Sequence, residues 1–138
     1  MILKPITVLI VEDEPGHAKL ALKYFSKLED VTSLTFSTGR KALEYLADKE
    51  VVELRHHVVV LDLNMPGMDG QQVLENIKKS EKLAIVPVIV LSSTDSEEEI
   101  SKCYASGANL YLVKQMDYAE YKNTLFYISE YIQMYRRT

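Results

Sequence analysis

Three short runs of apolar, mostly β-branched residues constrain the fold of this chain more than any other feature. They lie at Ile6–Val11, Val58–Leu61 and Val86–Leu91, and weaker runs occur at Val31–Phe36 and Asn109–Val113. The strong runs do not alternate apolar with polar residues, which is typical of strands that are covered on both faces. The pattern predicts a parallel sheet of five buried strands.

Apolar residues at helical spacing fill the segments between these runs. Asp69 and Ser96 each precede such a segment, and Gln72 and Glu99 follow three residues later as capping-box partners. Gly107 is placed to end the helix that Ser96 begins. The apolar stripes are Ala18, Ala21, Leu22 and Phe25; Ala42, Leu43, Leu46 and Ala47; Val73, Leu74 and Ile77; Ile100 and Cys103; and Tyr121, Leu125, Ile128 and Ile132. A strand followed by a helix, repeated five times, predicts an α/β fold with helices on both faces of the sheet.

Length and composition limit the classes of protein to consider. The 138 residues suit one domain, residues 1–138, and we expect no separate output domain. A net charge of -4 gives no electrostatic footprint for nucleic acid. Cys103 is the single cysteine, which suits a reducing compartment, and no apolar run approaches the roughly 18 residues that cross a membrane. We therefore expect a cytoplasmic protein that binds neither nucleic acid nor membrane.

Charged and hydroxyl side chains follow four of the five runs. Numbered along the chain, the first run is followed by acidic residues at 12–14, the third by Asp62, the fourth by Ser92 and the fifth by Lys114. Any one of them alone is explained as a loop or capping residue. In an open parallel sheet, however, ligands bind at the carboxyl ends of the strands, and acids crowded there repel one another unless a cation neutralises them. Oxygen ligands alone favour Mg²⁺, and the lysine and the hydroxyl suit a phosphoryl group.

Four segments resemble the receiver domains of two-component response regulators. They are VLIVEDEP, VVVLDLNMPGMDG, VIVLSS and GANLYLVK, in the order of the family and across nearly the whole chain. The chain is similar to single-domain receivers of the chemotaxis and phytochrome-associated types. The resemblance implies a flavodoxin-like (βα)5 fold, a doubly wound five-stranded parallel sheet of strand order 2-1-3-4-5.

The resemblance also implies the parts of a phosphoryl-acceptor site. Asp62 corresponds to the phosphoacceptor, which takes the group from a phosphohistidine on a histidine kinase or phosphotransfer protein. Glu12 and Asp13 correspond to the acidic pair that holds Mg²⁺ together with Asp62 and the backbone carbonyl of Asn64. Lys114 corresponds to the lysine that contacts the phosphoryl group.

A second set of residues is implied to transmit and time the signal. Ser92 occupies the switch hydroxyl position and Tyr111 the aromatic switch position. Phosphorylation is expected to draw Ser92 to a phosphoryl oxygen, and the ring of Tyr111 then turns inward. Asn64 and Thr94 occupy the positions that tune the lifetime of the phosphoryl group, and neither is a carboxylate.

Three positions depart from the commonest receiver sequence. Glu12 replaces an aspartate, and Ser93 replaces a small residue such as alanine. Gln115 follows Lys114 where the family usually has proline, often after a cis bond. A cis bond before a residue other than proline costs roughly 2.5–4 kcal/mol, so we expect Lys114–Gln115 to be trans and Lys114 to be less firmly aimed.

The last predicted helix carries tyrosines that suggest a partner surface. Tyr127, Tyr131 and Tyr135 recur at helical spacing, and exposed tyrosines are common in interfaces. We expect the face of the fourth helix, fifth strand and fifth helix to bind an unidentified downstream protein or a second copy of the chain. The three histidines, His17, His56 and His57, are expected to have no functional role.

Three alternatives remain open. A Mg²⁺-dependent phosphohydrolase that forms an aspartyl phosphate would usually carry a second aspartate where this chain has Asn64. A nucleotide- or flavin-binding module would need a glycine-rich phosphate loop, which the sequence lacks. A pseudo-receiver that works without phosphorylation would not need the full set of Asp62, Ser92 and Lys114. A receiver is not a conventional enzyme, because it catalyses only its own phosphorylation and slow dephosphorylation.

Overall fold

The computed structural model describes residues 3–65 and 70–137 and has a parallel sheet at its centre. The strand order is β2-β1-β3-β4-β5, and all four strand pairs are parallel. The strands are β1 (Ile6–Val11), β2 (Val31–Phe36), β3 (His57–Asp62), β4 (Val88–Ser92) and β5 (Leu110–Val113). The helices are α1 (Pro15–Phe25), α2 (Gly39–Ala47), α3 (Val51–Leu54), α4 (Gly70–Lys79), α5 (Glu97–Ala105) and α6 (Tyr118–Tyr135). The predicted flavodoxin-like fold is confirmed.

The sequence predicted two strands with their observed bounds and placed the other three to within two residues. The runs Ile6–Val11 and Val31–Phe36 match β1 and β2, whereas β3 extends one residue beyond its run at each end, β4 begins at Val88 rather than Val86, and β5 begins one residue later than its run. A 3-10 turn at Leu83–Ile85 precedes it, and Val86 N–H donates back to Leu83 at 3.0 Å. The short helix α3 was not predicted, so the fourth and fifth predicted helices are α5 and α6.

Two apolar layers cover the two faces of the sheet. Helices α1 and α6 pack on one face, and α2, α4 and α5 pack on the other. The predicted core faces of α4 and α6 are buried, as is Cys103 in α5. Gly107 has a φ of 104° directly beyond α5, which confirms it as the residue that ends that helix. Asp69, the predicted start of the helix that is α4, lies outside the described residues.

The core face of α1 differs from the prediction. His17, Ala21 and Phe25 are buried at four-residue spacing, whereas Leu22 is 38% exposed. The ring of His17 packs edge-on against Tyr121, with ring centroids 4.6 Å apart. Its Nδ1 atom lies 2.5 Å from Glu14 Oε2, but within the described residues neither ring nitrogen makes a hydrogen bond of good geometry. An aromatic neighbour on α6 therefore makes a histidine suitable for this part of the core.

His56 and His57 contact different parts of the chain through their ring nitrogens. His56 Nδ1 lies 2.9 Å from the carbonyl oxygen of Pro5. His57 is buried, its Nδ1 lies 2.7 Å from the carbonyl oxygen of Glu53, and its Nε2 lies 2.9 Å from the hydroxyl of Tyr45. Because a carbonyl only accepts, Nδ1 carries the hydrogen and Nε2 accepts from the tyrosine. Burial lowers the pKa of His57 below its usual value.

We expect this buried ring to make the fold less stable in mild acid. In the unfolded chain His57 binds a proton with a pKa of roughly 6.5, whereas its pKa in the folded chain is lower. The stability that the neutral ring contributes is therefore fully present above about pH 6.5 and is lost as the pH falls toward the pKa of the folded state. Urea unfolding followed by circular dichroism at pH 7.5 and 5.5 measures the difference. The difference should shrink in His57→Gln and persist in His56→Gln. Equal pH dependence in His57→Gln and the native chain would contradict the assignment.

Candidate functional site

The predicted site residues meet at one edge of the sheet, where the carboxyl ends of the strands lie together. Asp62 ends β3 and Glu12 follows β1 directly, while Lys114 follows β5. All three are at most 6% exposed, although they come from three separate parts of the chain. Strands β1, β3 and β4 are neighbours here, and β5 adds Lys114 from the sheet edge.

Lys114 lies between the two buried carboxylates. Its Nζ atom is 2.5 Å from Glu12 Oε1 and 2.9 Å from Asp62 Oδ2. Burial alone would lower the pKa of Lys114, but the hydrogen bonds and the attraction of both carboxylates outweigh burial and raise the pKa. The lysine is therefore a fixed positive charge beside Asp62.

The two carboxylates are held by different sets of partners. Burial raises the pKa of Glu12 to about 7 against the opposing effect of its hydrogen bond with Lys114, and the neighbouring Asp62 adds to the rise. Glu12 Oε2 accepts from Glu14 N–H at 3.2 Å. Asp62 Oδ1 accepts from Asn64 N–H at 2.8 Å, while its Oδ2 atom faces Lys114. Both oxygens of Asp62 are thus oriented by fixed donors.

Three carboxylates at this edge are close enough to bind one metal ion together. Glu12, Asp13 and Asp62 each offer an oxygen, and these oxygens lie within 4.8 Å of one another. A pocket of about 450 Å³ opens onto them. It is lined by Glu12, Asp13, Glu14, Asp62, Asn64, Ser93, Lys114 and Met116. The donor set contains only oxygen, which suits a hard divalent cation.

The two predicted lifetime residues lie in different surroundings. Asn64 is exposed and lines the pocket, and its side-chain oxygen accepts from Ser93 N–H at 2.8 Å. This bond ties the loop after β3 to the loop after β4. Thr94 is not among the lining residues, and its hydroxyl accepts from Ser96 N–H at 3.1 Å in a local turn. Only Asn64 is therefore placed beside the pocket in this structure.

The predicted switch pair is joined by a residue that sequence reasoning assigned elsewhere. Ser92 Oγ donates to Glu99 Oε2 at 2.7 Å, and Tyr111 Oη lies 2.5 Å from the same oxygen. Burial and the bond to Glu99 raise the pKa of Tyr111 to about 12. The ring of Tyr111 is already turned inward, with its hydroxyl 2.7 Å from the carbonyl oxygen of Thr94. The inward ring is thus present while Ser92 donates to Glu99.

Gln115 does not loosen Lys114 in the way that was expected. No described peptide bond is cis, so the expected trans bond at Lys114–Gln115 is confirmed. Lys114 N–H donates to the carbonyl oxygen of Ser92 at 2.7 Å, which continues the β4–β5 pairing past the strand end. This backbone bond and the two carboxylates hold the lysine in place without a proline.

The three tyrosines of the expected partner surface do not share one exposed face. Tyr127 is 58% exposed, whereas Tyr131 and Tyr135 are half-buried against the α1–α6 layer. Tyr135 Oη donates to the carbonyl oxygen of Arg55 at 3.0 Å, and Lys4 lies 4.0 Å from the centre of its ring. Four-residue steps advance about 40° beyond a full helical turn, which carries each successive tyrosine toward the core. The exposed apolar residues of α6 are instead Tyr118, Phe126, Tyr127 and Met134.

Comparisons with known proteins agree with this geometry. Residues 8–126 match the family model for the response regulator receiver domain. The chain is 35% identical over 129 residues to the probable methanogenesis regulatory protein FilR2 of Methanothrix harundinacea, covering 92% of this chain and 83% of that protein. It is 30% identical over 113 residues to the response regulator Rcp1 of Synechocystis, covering 80% and 77%.

Solved structures give the same fold. The phosphorylated cyanobacterial phytochrome response regulator RcpA has a TM-score of 0.80 at 26% identity, covering 93% of this chain and 94% of that one. The Mn²⁺-bound form of Rcp1 has a TM-score of 0.81 at 25% identity, covering 94% and 95%. Within the described residues, no helix is long and apolar enough to cross a membrane.

Proposed function

Because this chain belongs to the response regulator receiver domain family of two-component signalling, we propose that Asp62 accepts the phosphoryl group from a histidine kinase or phosphotransfer protein. The observation that carries the proposal is the pairing of Asp62 with Lys114 in the acidic pocket, 2.9 Å from Oδ2 to Nζ. A carboxylate held between a backbone donor and a fixed ammonium is aimed as a nucleophile. Such a kinase makes its phosphohistidine from ATP, so we expect the protein to act in the cytoplasm.

The reaction at Asp62 is an exchange of one bond for another. A carboxylate oxygen forms an O–P bond while the P–N bond of the donor's phosphohistidine breaks, and the electron pair stays with the imidazole. The transferred group carries negative charge on its outer oxygens, so catalysis depends on positioning and on offsetting that charge. Lys114 supplies a positive charge beside the attacking carboxylate, and Asn64 N–H fixes its other oxygen.

We propose Mg²⁺ as the cofactor of this site. The carboxylates of Glu12, Asp13 and Asp62 would hold it, with the backbone carbonyl of Asn64 as a further ligand. The fit is supported by oxygen donors alone within 4.8 Å and by the Mn²⁺-bound structure of the relative Rcp1. When bound, Mg²⁺ supplies positive charge for the transferring phosphoryl group.

Intact-mass spectrometry with small phosphodonors tests the proposal. Acetyl phosphate and phosphoramidate, the second of which carries a P–N bond, should each add one phosphoryl group in the presence of Mg²⁺. The adduct should be absent in EDTA and in Asp62→Asn, which keeps the size of the side chain and its acceptor oxygen. An adduct of equal yield in folded Asp62→Asn, or none on the native chain with Mg²⁺, would refute Asp62 as the acceptor.

The output is a change in protein contacts, which we assign to the face formed by α5, β5 and α6. Its exposed apolar residues, centred on Tyr127, favour a downstream protein or a second copy of this chain. Tyr127, rather than the half-buried Tyr131 or Tyr135, is therefore the residue to substitute when partners are tested. Asn64 and Thr94 supply no carboxylate as a general base for water, which favours a slow return of the phosphoryl group.

A further inference from the structure

Glu99 makes contacts that neither its helix nor the phosphoryl-acceptor site explains. Its Oε2 atom lies 2.7 Å from the hydroxyl oxygen of Ser92 and 2.5 Å from that of Tyr111. Both hydroxyl-bearing residues are buried, and Glu99 reaches them from the first turn of α5. One carboxylate oxygen therefore joins the two side chains that the family resemblance assigns to the switch.

The carboxylate of Glu99 is not used to begin α5. In a capping box it would accept from the backbone N–H of Ser96. That N–H donates to Thr94 Oγ1 at 3.1 Å instead, and Ser96 Oγ accepts from Glu99 N–H at 3.5 Å. The start of the helix is thus satisfied by Thr94 and Ser96, and the carboxylate turns toward the end of β4.

The hydroxyl hydrogens of Ser92 and Tyr111 depend on Glu99 to different degrees. The Ser92 hydroxyl carries one hydrogen, which it donates to Glu99, so it cannot donate to a phosphoryl oxygen on Asp62 at the same time. Tyr111 differs, because its hydroxyl also lies 2.7 Å from the carbonyl oxygen of Thr94 and keeps that acceptor without Glu99. Removing the carboxylate therefore releases Ser92 and leaves Tyr111 anchored.

We propose that Glu99 is a positioning residue that competes with the phosphoryl group on Asp62 for the hydrogen of Ser92. This inference rests on the proposed function of Asp62. Hydrogen bonds to a charged acceptor are stronger than those between neutral groups, so the bond from Ser92 to Glu99 opposes the bond from Ser92 to the phosphoryl oxygen. Glu99 thereby sets the affinity of the acceptor site for a phosphoryl group.

Titration with beryllium fluoride, a phosphoryl analogue that binds carboxylates, tests the competition. Binding in the presence of Mg²⁺ is followed by fluorine NMR, with Asp62→Asn to identify the signal from this site. Glu99→Ala should lower the half-saturating concentration about tenfold, the effect of one charge-assisted hydrogen bond. Glu99→Gln should lower it less, since the amide oxygen is still an acceptor. Glu98→Gln, an exposed neighbour with the same charge change, is the matched control and should leave it unchanged.

A double variant separates positioning from a general effect on the fold. In the Ser92→Ala background, Glu99→Ala should give no further tightening, because the contested hydrogen is gone. The proposal is overturned if Glu99→Ala still tightens beryllium fluoride binding in the Ser92→Ala background, or if it tightens binding no more than Glu98→Gln does. If Glu99→Ala does not fold, the same comparisons are made with Glu99→Gln. Absence of Asp62-dependent binding in the native chain would instead refute the proposed function, and the inference with it.

Discussion

Replacing Lys114 with methionine is expected to lower the free energy of unfolding by about 3 kcal/mol at pH 7.5 in EDTA. The substitution keeps the length of the side chain but leaves Glu12 and Asp62 buried beside each other without their shared cation. Breaking a buried ion pair from one side is costly because the remaining charge stays away from water. Urea unfolding followed by circular dichroism measures the loss.

The pH dependence of the loss identifies its cause. Burial raises the pKa of Glu12, and without Lys114 the effect that opposes this rise is lost, so Glu12 takes up a proton more readily in the folded than in the unfolded chain. The loss should therefore be smaller at pH 5.5 than at pH 7.5. Adding Asp62→Asn to Lys114→Met should restore part of the stability, since one buried charge is removed. Lys78→Met is the comparison: Lys78 is half-buried, and in the described part of the chain its ammonium donates to the carbonyl oxygens of Ala84 and Val86, so Asp62→Asn should not rescue its loss. Failure of Asp62→Asn to rescue Lys114→Met would show that charge burial is not the reason.

Gly70→Ala is expected to cost about 2 kcal/mol and to slow phosphorylation of Asp62. A Cβ atom at Gly70 would lie 2.8 Å from the Cα atom of Leu63 and 3.3 Å from the carbonyl oxygen of Asp62. The first contact is with backbone, so either α4 or the loop after β3 must move. Because that loop positions the N–H of Asn64 against Asp62, the shift should reach the Asp62 carboxylate.

Gly16→Ala provides the comparison for this prediction. Its Cβ would meet the ring end of Tyr118 and the carboxylate of Glu14. The tyrosine is half exposed and can swing away, and alanine favours a helix more than glycine does. Gly16→Ala should therefore leave the free energy of unfolding within about 0.5 kcal/mol of the native value. Similar losses in the two variants, measured by urea unfolding, would show that backbone contact at Gly70 is not the cause.

The sheet and the acidic site were predictable because each depends on a pattern along the chain. The runs at Ile6–Val11 and Val31–Phe36 placed β1 and β2 at their observed bounds. Since parallel strands end at one edge, the residues that follow them had to converge, and Glu12, Asp62 and Lys114 do so. The core face of α6 was predictable for a similar reason, because four large apolar residues recur at helical spacing.

The features that were not predictable depend on contacts between distant segments. Glu99 stands where a capping box expects it, and only the positions of β4 and β5 explain why its carboxylate turns to Ser92 and Tyr111. His17 is polar in sequence, yet the rings of Tyr118 and Tyr121 make a buried site that suits it. In both cases a tertiary contact, rather than the local helix pattern, decides the direction of the side chain.

The position of β5 at the edge of the sheet has a consequence for how the protein is made. Glu12 and Lys114 are 102 positions apart, so their contact closes a very long loop. On a ribosome, Glu12 and Asp62 emerge well before the segment that carries their counter-charge, and the two carboxylates repel each other until β5 joins β4. Contacts of such long range form slowly and late in folding. Lys114 therefore holds Asp62 Oδ2 as in the finished fold only after β5 has joined the sheet.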